Sequence, residues 1–87
     1  MLDVVVNMQM TKELEEIQAE LVWAVDHYVK FRSAHEGFAI IEEEFLELRE
    51  EVFKRPNLRS LPMMRREAKQ LATMAVRFMM EVCGGKR

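Results

Sequence analysis

Apolar residues recur at three- and four-residue spacings along three stretches of this chain, and this periodicity is the strongest constraint on its fold. Such spacing places the apolar side chains on one face of a helix. The first stretch covers about residues 11–32, the second runs from Ser33 to near Arg55, and the third starts near Ser60. Outside Leu2–Val6, which fits a short strand or an arm, no strand pattern occurs. The sequence therefore predicts an all-α fold of three main helices in an antiparallel bundle.

Local capping signals support the boundaries of these helices. Thr11 is the expected N-cap of the first helix. Ser33 and Glu36 fit the capping box, in which each side chain accepts a hydrogen bond from the amide of the other residue. Pro56 disfavours helical geometry at the residue before it, so the second helix should end there. Pro62 belongs in the first turn of the third helix.

The third helix carries two apolar stripes, whereas the second carries one. The stripe of the second helix comprises Phe38, Ile41, Phe45, Leu48 and Val52. The stripes of the third comprise Met64, Ala68, Leu71, Ala75, Phe78 and Val82, and Ala72, Val76, Met79 and Cys83. A helix apolar on two faces is usually buried on two sides. We expect an N-terminal arm at residues 1–10 and one helical domain at residues 11–85. Because an 87-residue chain has a modest core, we also expect the second face of the third helix to pack against another subunit.

The charge is unevenly distributed along the chain, although the net charge is only −2. Residues 1–53 hold 13 acidic and 4 basic residues, whereas residues 54–87 hold 2 acidic and 9 basic residues. These parts should attract each other, which argues against a nucleic-acid partner because the basic surface would be covered. The single cysteine, Cys83, excludes an internal disulfide and favours a cytoplasmic protein. No apolar run reaches the roughly 18 residues of a membrane span, so no membrane partner is expected.

An acidic run on the second helix is the main candidate for chemistry. It comprises Glu42, Glu43, Glu44, Glu47, Glu50 and Glu51. Glu44 and Glu47 are one turn apart and share a face, where like charges destabilise a helix. A divalent cation would remove that repulsion, and carboxylate oxygens suit magnesium or manganese. The alternative is a solvated acidic face that nearby arginines neutralise.

Glu67 and Gln70 form a second one-turn pair, on the third helix. An antiparallel hairpin can bring this pair opposite the two glutamates of the second helix, which would gather three carboxylates and one amide around one point. The alternative for Glu67 is an ion pair with Arg66 or Lys69. These two cations flank Glu67, so they are also the first candidates to hold phosphates.

Trp23 lies on the polar stripe of the first helix, away from the main apolar face. A tryptophan there either covers a subunit interface or stacks on a nucleobase. Lys54 and Arg77 are further basic candidates for phosphate binding, although most basic residues are expected to pair with the acidic helix.

Two segments of the chain resemble a known family. The segment at residues 33–48, SAHEGFAIIEEEFLEL, looks like the first motif of MazG-like nucleoside triphosphate pyrophosphohydrolases, and more narrowly of a short branch with a His-Glu-Gly-aromatic lead-in. The segment at residues 66–78, REAKQLATMAVRF, also resembles that branch. The resemblance covers about residues 20–83.

The family motif is Glu-Glu-x-x-Glu followed by Glu-x-x-Asp. Glu43, Glu44 and Glu47 match its first half, and Glu67 matches the start of its second half. Gln70 stands where aspartate is usual, as it often does in that branch. The resemblance implies that Glu44, Glu47 and Glu67 bind the metal, with Gln70 in the fourth position. It also implies that Glu43 and Glu44 are catalytic, with Glu43 either as a base or as a group that supports the metal ligands.

The activity that the resemblance implies is magnesium-dependent cleavage of a nucleoside triphosphate, with a ribose or deoxyribose sugar, into a monophosphate and pyrophosphate. Manganese is the alternative metal, and the enzyme would be an all-α dimer or tetramer that maintains the nucleotide pool. Gln70 is a weaker, neutral ligand than a carboxylate. The alternative is therefore a helical scaffold or nucleotide-binding protein that kept the fold and has weak or no catalysis.

Overall fold

The computed structural model describes residues 2–84, with side chains from Thr11 onward. It contains three α-helices, which are α1 (Leu2–His27), α2 (Ala34–Val52) and α3 (Leu61–Phe78). A 3₁₀ turn, Pro56–Leu58, lies between α2 and α3, and a π-helical turn, Met79–Cys83, extends α3. Residues 2–84 contain no strand, so the all-α prediction is confirmed for this part of the chain. None of its helices has the length and hydropathy to cross a membrane.

The first helix differs from its predicted bounds at both ends. It begins at Leu2 and runs through Thr11 without a break, so the predicted N-cap at Thr11 is wrong. The valines at 4–6 favour a strand locally, but neither glycine nor proline interrupts the segment, so the helix propagates through it. At the other end α1 stops at His27, and residues 28–33 form the connection to α2.

One of the two hydrogen bonds of the predicted capping box forms at the start of α2. Ser33 Oγ accepts a hydrogen bond from the Glu36 amide at 3.0 Å. The return bond goes to a different residue, because Glu36 Oε1 accepts from the Arg32 amide at 2.7 Å. Ser33 is still the N-cap and still fixes the first residue of α2.

The segment between α2 and α3 follows its proline and serine signals. The second helix ends at Val52, slightly before the predicted boundary, and Arg55 is extended with a ψ of 144°, as Pro56 requires. Ser60 is the N-cap of α3, and its Oγ accepts from the Met63 amide at 3.2 Å. The third helix also holds its proline in the first turn, as predicted.

The central helix is α3, which packs against both α1 and α2. Gly37 lies against Phe78, while Glu44 lies beside Glu67, so α2 and α3 are antiparallel. In contrast, α1 is parallel to α3. Glu13 of α1 pairs with Arg65 near the start of α3. Val29, just after the end of α1, accepts a hydrogen bond from Arg77 near the end of α3. Consecutive helices therefore alternate in direction.

The molecule is flat, with extents of 46 × 36 × 21 Å. Its smallest dimension is about two helix diameters. Among residues 11–84, the buried apolar side chains are only Ala24 and Met74, and Thr73 and Arg77 are buried polar residues. Residues 11–84 of a single chain thus contain very few fully buried apolar side chains.

The apolar stripes do not face the interior as predicted. On α2, Phe38 is 61% exposed and Phe45 is 52% exposed. The most buried positions on α3 are Thr73, Met74 and Arg77, which belong to neither predicted stripe. The prediction assigned one face of α3 to the interior of the monomer and the other to a second subunit, and it did not anticipate that Thr73, Met74 and Arg77 are the buried positions.

Candidate functional site

Three glutamates from α2 and α3 lie together on the described surface. One carboxylate oxygen each from Glu44, Glu47 and Glu67 lies within 4.8 Å of the other two. The helical repeat places Glu44 and Glu47 on one face, and the antiparallel packing of α3 brings Glu67 to them. Oxygens bound to one divalent cation lie about 2.0–2.6 Å from it, so they are at most about 5 Å apart. The spacing of this acidic triad therefore suits one shared cation.

The acidic triad has no cationic partner among the side chains of residues 11–84. Within residues 11–84, no lysine, arginine or histidine nitrogen lies within 4.0 Å of the carboxylates of Glu44, Glu47 or Glu67. Glu67 thus forms no ion pair with Arg66 or Lys69 in this part of the chain. Neutralisation of the acidic face by nearby arginines does not apply to these three residues.

Glu44 has both a buried carboxylate oxygen without a hydrogen-bond partner among the described residues and a raised pKa. Its Oε2 atom is buried and has no hydrogen-bond partner among residues 11–84. Burial raises the pKa of Glu44 to about 7, and the negative charges of Glu47, Glu67 and Glu43 add to the effect. A buried polar atom without a partner is uncommon in a folded protein and indicates a missing ligand, ion or water.

The other acids of α2 have ordinary surroundings. Glu51 forms an ion pair with Lys54 at 3.0 Å, and Glu36 forms one with Arg32 at 2.8 Å. Glu42 and Glu50 are exposed. The acidic run thus has two faces, as the helical repeat requires. One face carries Glu44 and Glu47 of the acidic triad, and the other carries the exposed Glu42 and Glu50.

A cavity of about 590 Å³ adjoins the acidic triad through Glu44. Its lining residues come from the α1–α2 connection and from facing positions of α2 and α3. They are Tyr28, Val29, Lys30, Phe31, Arg32, Glu36, Ile40, Glu43, Glu44, Gln70, Met74 and Arg77. This cavity is large enough for a small organic ligand.

Two predicted site residues, Glu43 and Gln70, line this cavity. Glu43 is exposed, and Gln70 is half-buried. Within residues 11–84 the Gln70 side chain forms no hydrogen bond, so its amide is available to a ligand in the cavity or to a cation on the acidic triad. Both residues therefore line the same cavity as Glu44.

Lys69 lies away from the acidic triad. Its Nζ is 3.8 Å from Glu20 Oε1, and it lines a second cavity of about 420 Å³ between α1 and α3. Lys69 follows Glu67 by two positions, which turns it about 200° around the helix. Arg66 is exposed and forms no ion pair among the described side chains. The structure therefore does not bring Lys69 together with the predicted ligands.

Trp23 lines neither cavity. Its ring stacks on His27 with centroids 4.1 Å apart and meets Tyr28 edge-on at 5.4 Å. The side chain is 45% exposed on α1. Tyr28 does line the larger cavity, so Trp23 reaches the candidate site only through its neighbour.

Sequence reasoning missed the part of the site formed by residues 28–32, which it assigned to the first helix. All five of these residues line the larger cavity. It also treated Arg77 as a phosphate-binding candidate, whereas Arg77 is 2% exposed and is bonded to Glu81. The four-residue spacing of Arg77 and Glu81 was the available signal for this pair.

Comparisons with models of protein families, with curated proteins and with solved structures find no match for this chain. A functional proposal must therefore depend on the chemistry of the acidic triad and the adjoining cavity, together with the motif resemblance.

Proposed function

We propose that this protein is a magnesium-dependent nucleoside triphosphate pyrophosphohydrolase of the MazG-like type. It would cleave a ribo- or deoxyribonucleoside triphosphate to a monophosphate and pyrophosphate. One observation carries the proposal, namely that Glu44, Glu47 and Glu67 approach within 4.8 Å and pair with no lysine, arginine or histidine among residues 11–84. The cavity that adjoins Glu44 offers space for the nucleoside part of the substrate.

The donor atoms of the acidic triad fit magnesium, and manganese is the alternative. Both are hard cations that prefer carboxylate oxygens. The partnerless Oε2 of Glu44 is the atom that a cation would satisfy. The chemistry that magnesium would supply there is a lowered pKa of a bound water and stabilisation of the charge on the leaving pyrophosphate.

Metal binding, proton acceptance and phosphate binding are assigned to separate residues of the chain. Glu44, Glu47 and Glu67 hold the metal, with Gln70 as a neutral fourth group. Glu43, exposed at the cavity, is placed to accept a proton from the attacking water. Arg66, exposed beside Glu67 in the sequence, is the first basic residue for the phosphates, since Lys69 is engaged by Glu20.

The exposed apolar surface supports a homo-oligomer, either a dimer or a tetramer. Phe38, Phe45 and Val52 recur every seven residues along α2 and are 61%, 52% and 37% exposed. A contiguous apolar stripe of this kind is typical of a protein interface. A second copy of the chain would cover it and supply the core that one chain lacks.

The test of the activity uses the purified full chain with a panel of nucleoside triphosphates and magnesium. Pyrophosphate release is expected from at least one nucleotide, and Glu44→Gln should abolish it. Glu42→Gln is the matched control, because Glu42 lies in the same acidic run but is exposed and outside the triad. No pyrophosphate from any nucleotide, with magnesium or manganese, contradicts the proposal, as does equal activity of the two variants.

A helical scaffold or nucleotide-binding protein without turnover is the second candidate. Gln70 in place of a carboxylate favours it, because the site then has only three anionic ligands. Lys69 favours it too, because its side chain lies beside Glu20 and away from the acidic triad, where the phosphates would bind. Calorimetric titration separates the candidates: a scaffold shows no magnesium binding that depends on Glu47, whereas a nucleotide-binding protein binds nucleotide and releases no pyrophosphate.

A further inference from the structure

The end of α3 holds a buried ion pair that the proposed reaction does not use. The side chains of Arg77 and Glu81 are only 3% and 7% exposed. Two hydrogen bonds join them, from Arg77 Nε to Glu81 Oε2 at 2.9 Å and from Arg77 Nη2 to Glu81 Oε1 at 3.0 Å. A buried ion pair is weak evidence for stability, because removing two charges from water offsets much of their attraction. The position of this pair therefore needs another explanation.

Both members of the pair bind the backbone of the connection between α1 and α2. Arg77 Nη2 donates to the Val29 carbonyl at 3.0 Å, and the Phe31 amide donates to Glu81 Oε1 at 2.8 Å. The Arg77 guanidinium also lies 4.2 Å from the centroid of the Phe31 ring and 5.8 Å from that of Tyr28. These contacts fix both the main chain and the aromatic rings of the connection.

This connection is the non-helical wall of the larger cavity, to which residues 28–32 all contribute. It has little packing of its own, since Val29 is 83% exposed and Tyr28 is 53% exposed. The bonds to Arg77 and Glu81 hold its centre at Val29 and Phe31, while Tyr28 and Arg32 at its two ends contact Trp23 and Glu36. Aromatic rings on such a wall suit the face of a planar heteroaromatic ring.

We propose that Arg77 and Glu81 are a positioning pair that holds residues 28–32 in the shape that binds the nucleobase. This inference rests on the proposed function and extends it to substrate affinity. Because the pair touches the wall and not the acidic triad, it controls how tightly the nucleotide binds and leaves the chemistry at the metal unchanged.

The test compares Glu81→Gln with the wild-type full chain. Glutamine keeps the shape and an acceptor oxygen but loses the charge that holds the guanidinium. The KM for the preferred nucleotide should rise about tenfold, which corresponds to about 1.4 kcal/mol, while kcat and the magnesium affinity stay within twofold. Amide hydrogen exchange at Phe31 should accelerate. Arg77→Lys is the milder second variant, since lysine keeps the charge and lacks the fork that reaches two acceptors.

Glu13→Gln is the matched control, because it removes an exposed ion pair with Arg65 that lies outside the larger cavity. It should leave KM unchanged. An unchanged KM in both Glu81→Gln and Arg77→Lys overturns the positioning role, and so does a fall in kcat at constant KM. An inactive wild-type chain overturns the proposed function and this role with it, whereas an active wild type with unaltered variants overturns the positioning role alone.

Discussion

Glu44 lies among three other carboxylates and is the residue most affected by them. Its pKa is about 7, above the ordinary value of 4.5, chiefly because of burial. The folded state therefore holds this proton more tightly than the unfolded state does, so the proton stabilises the fold at low pH. That stability is present below about pH 4.5 and is lost as the pH rises through 7.

We predict that the metal-free protein becomes less stable between pH 5 and pH 8 and that Glu44→Gln removes most of this loss. Glutamine has no charge to repel Glu47 and Glu67. Thermal denaturation in a chelator at four pH values measures the effect, with Glu42→Gln as the control. Parallel pH profiles for the wild type and Glu44→Gln contradict the prediction.

Gln70 allows a second prediction at the scale of one residue. If its amide is the fourth metal group, Gln70→Asp adds a carboxylate and should tighten magnesium binding about tenfold, or about 1.4 kcal/mol. Gln70→Asn is the matched control, because it has the same shape as aspartate and no charge. Calorimetric titration gives both affinities. Equal affinities for the two variants place Gln70 outside the metal site.

Spacing along α2 predicted that Glu44 and Glu47 share a face, because residues one turn apart must do so. Glu67 was added from the expected antiparallel hairpin and from the motif resemblance. The same geometry could have excluded Lys69, which lies about 200° from Glu67 around α3. The raised pKa of Glu44 was not predictable, since it depends on how deeply α3 covers the carboxylate. Tertiary packing, not local sequence, sets that burial.

At the scale of the helices, Gly37 determines how closely α2 and α3 approach. A Cβ atom there would lie 2.7 Å from Phe78 Cδ2 and 3.0 Å from Phe31 Cδ2. Both contacts are with ring atoms that cannot move without shifting a whole side chain. The glycine of the His-Glu-Gly segment is thus explained by packing, at the end of α2 away from the acidic triad.

We predict that Gly37→Ala lowers the free energy of unfolding. Overpacking costs about 1–3 kcal/mol, which exceeds the roughly 1 kcal/mol that alanine gains in helix propensity. In a Phe78→Leu background the closer of the two ring contacts is gone, so the same substitution should cost less. Chemical denaturation of the two singles and the double variant forms the cycle. Additive effects contradict the proposed contact.

The sequence predicted the starts of α2 and α3 well, because Ser33 and Ser60 carry their own capping chemistry. It predicted the end of α1 poorly. Beyond that end, Arg77 donates a hydrogen bond to the backbone of the connection, and Glu81 accepts one from it. Contacts between residues so far apart in the chain leave no signal in the local sequence. The interior faces were also misjudged, since an apolar stripe shows only that something covers it, and not which chain does.

At the scale of the whole molecule, the flat shape and the exposed stripe on α2 lead to a prediction about assembly. Phe45→Ser should weaken self-association, because it removes the central aromatic ring of the Phe38, Phe45 and Val52 stripe. Leu46→Ser is the control, since Leu46 is similarly exposed at 50% but lies on another face of α2. Sedimentation at micromolar concentration reports the mass. A folded wild-type monomer contradicts the prediction.

The junction between α1 and α3 has the opposite electrostatic character to the acidic triad. Arg65 pairs with Glu13 and Glu16, and Lys69 pairs with Glu20, all at partly exposed positions. Dissolved salt screens attraction and repulsion alike, and the screening length falls to about 3 Å at 1 M. Rising ionic strength thus loosens the attachment of α1 while it relieves the repulsion between α2 and α3. The two sides of α3 respond to the same solvent in opposite directions.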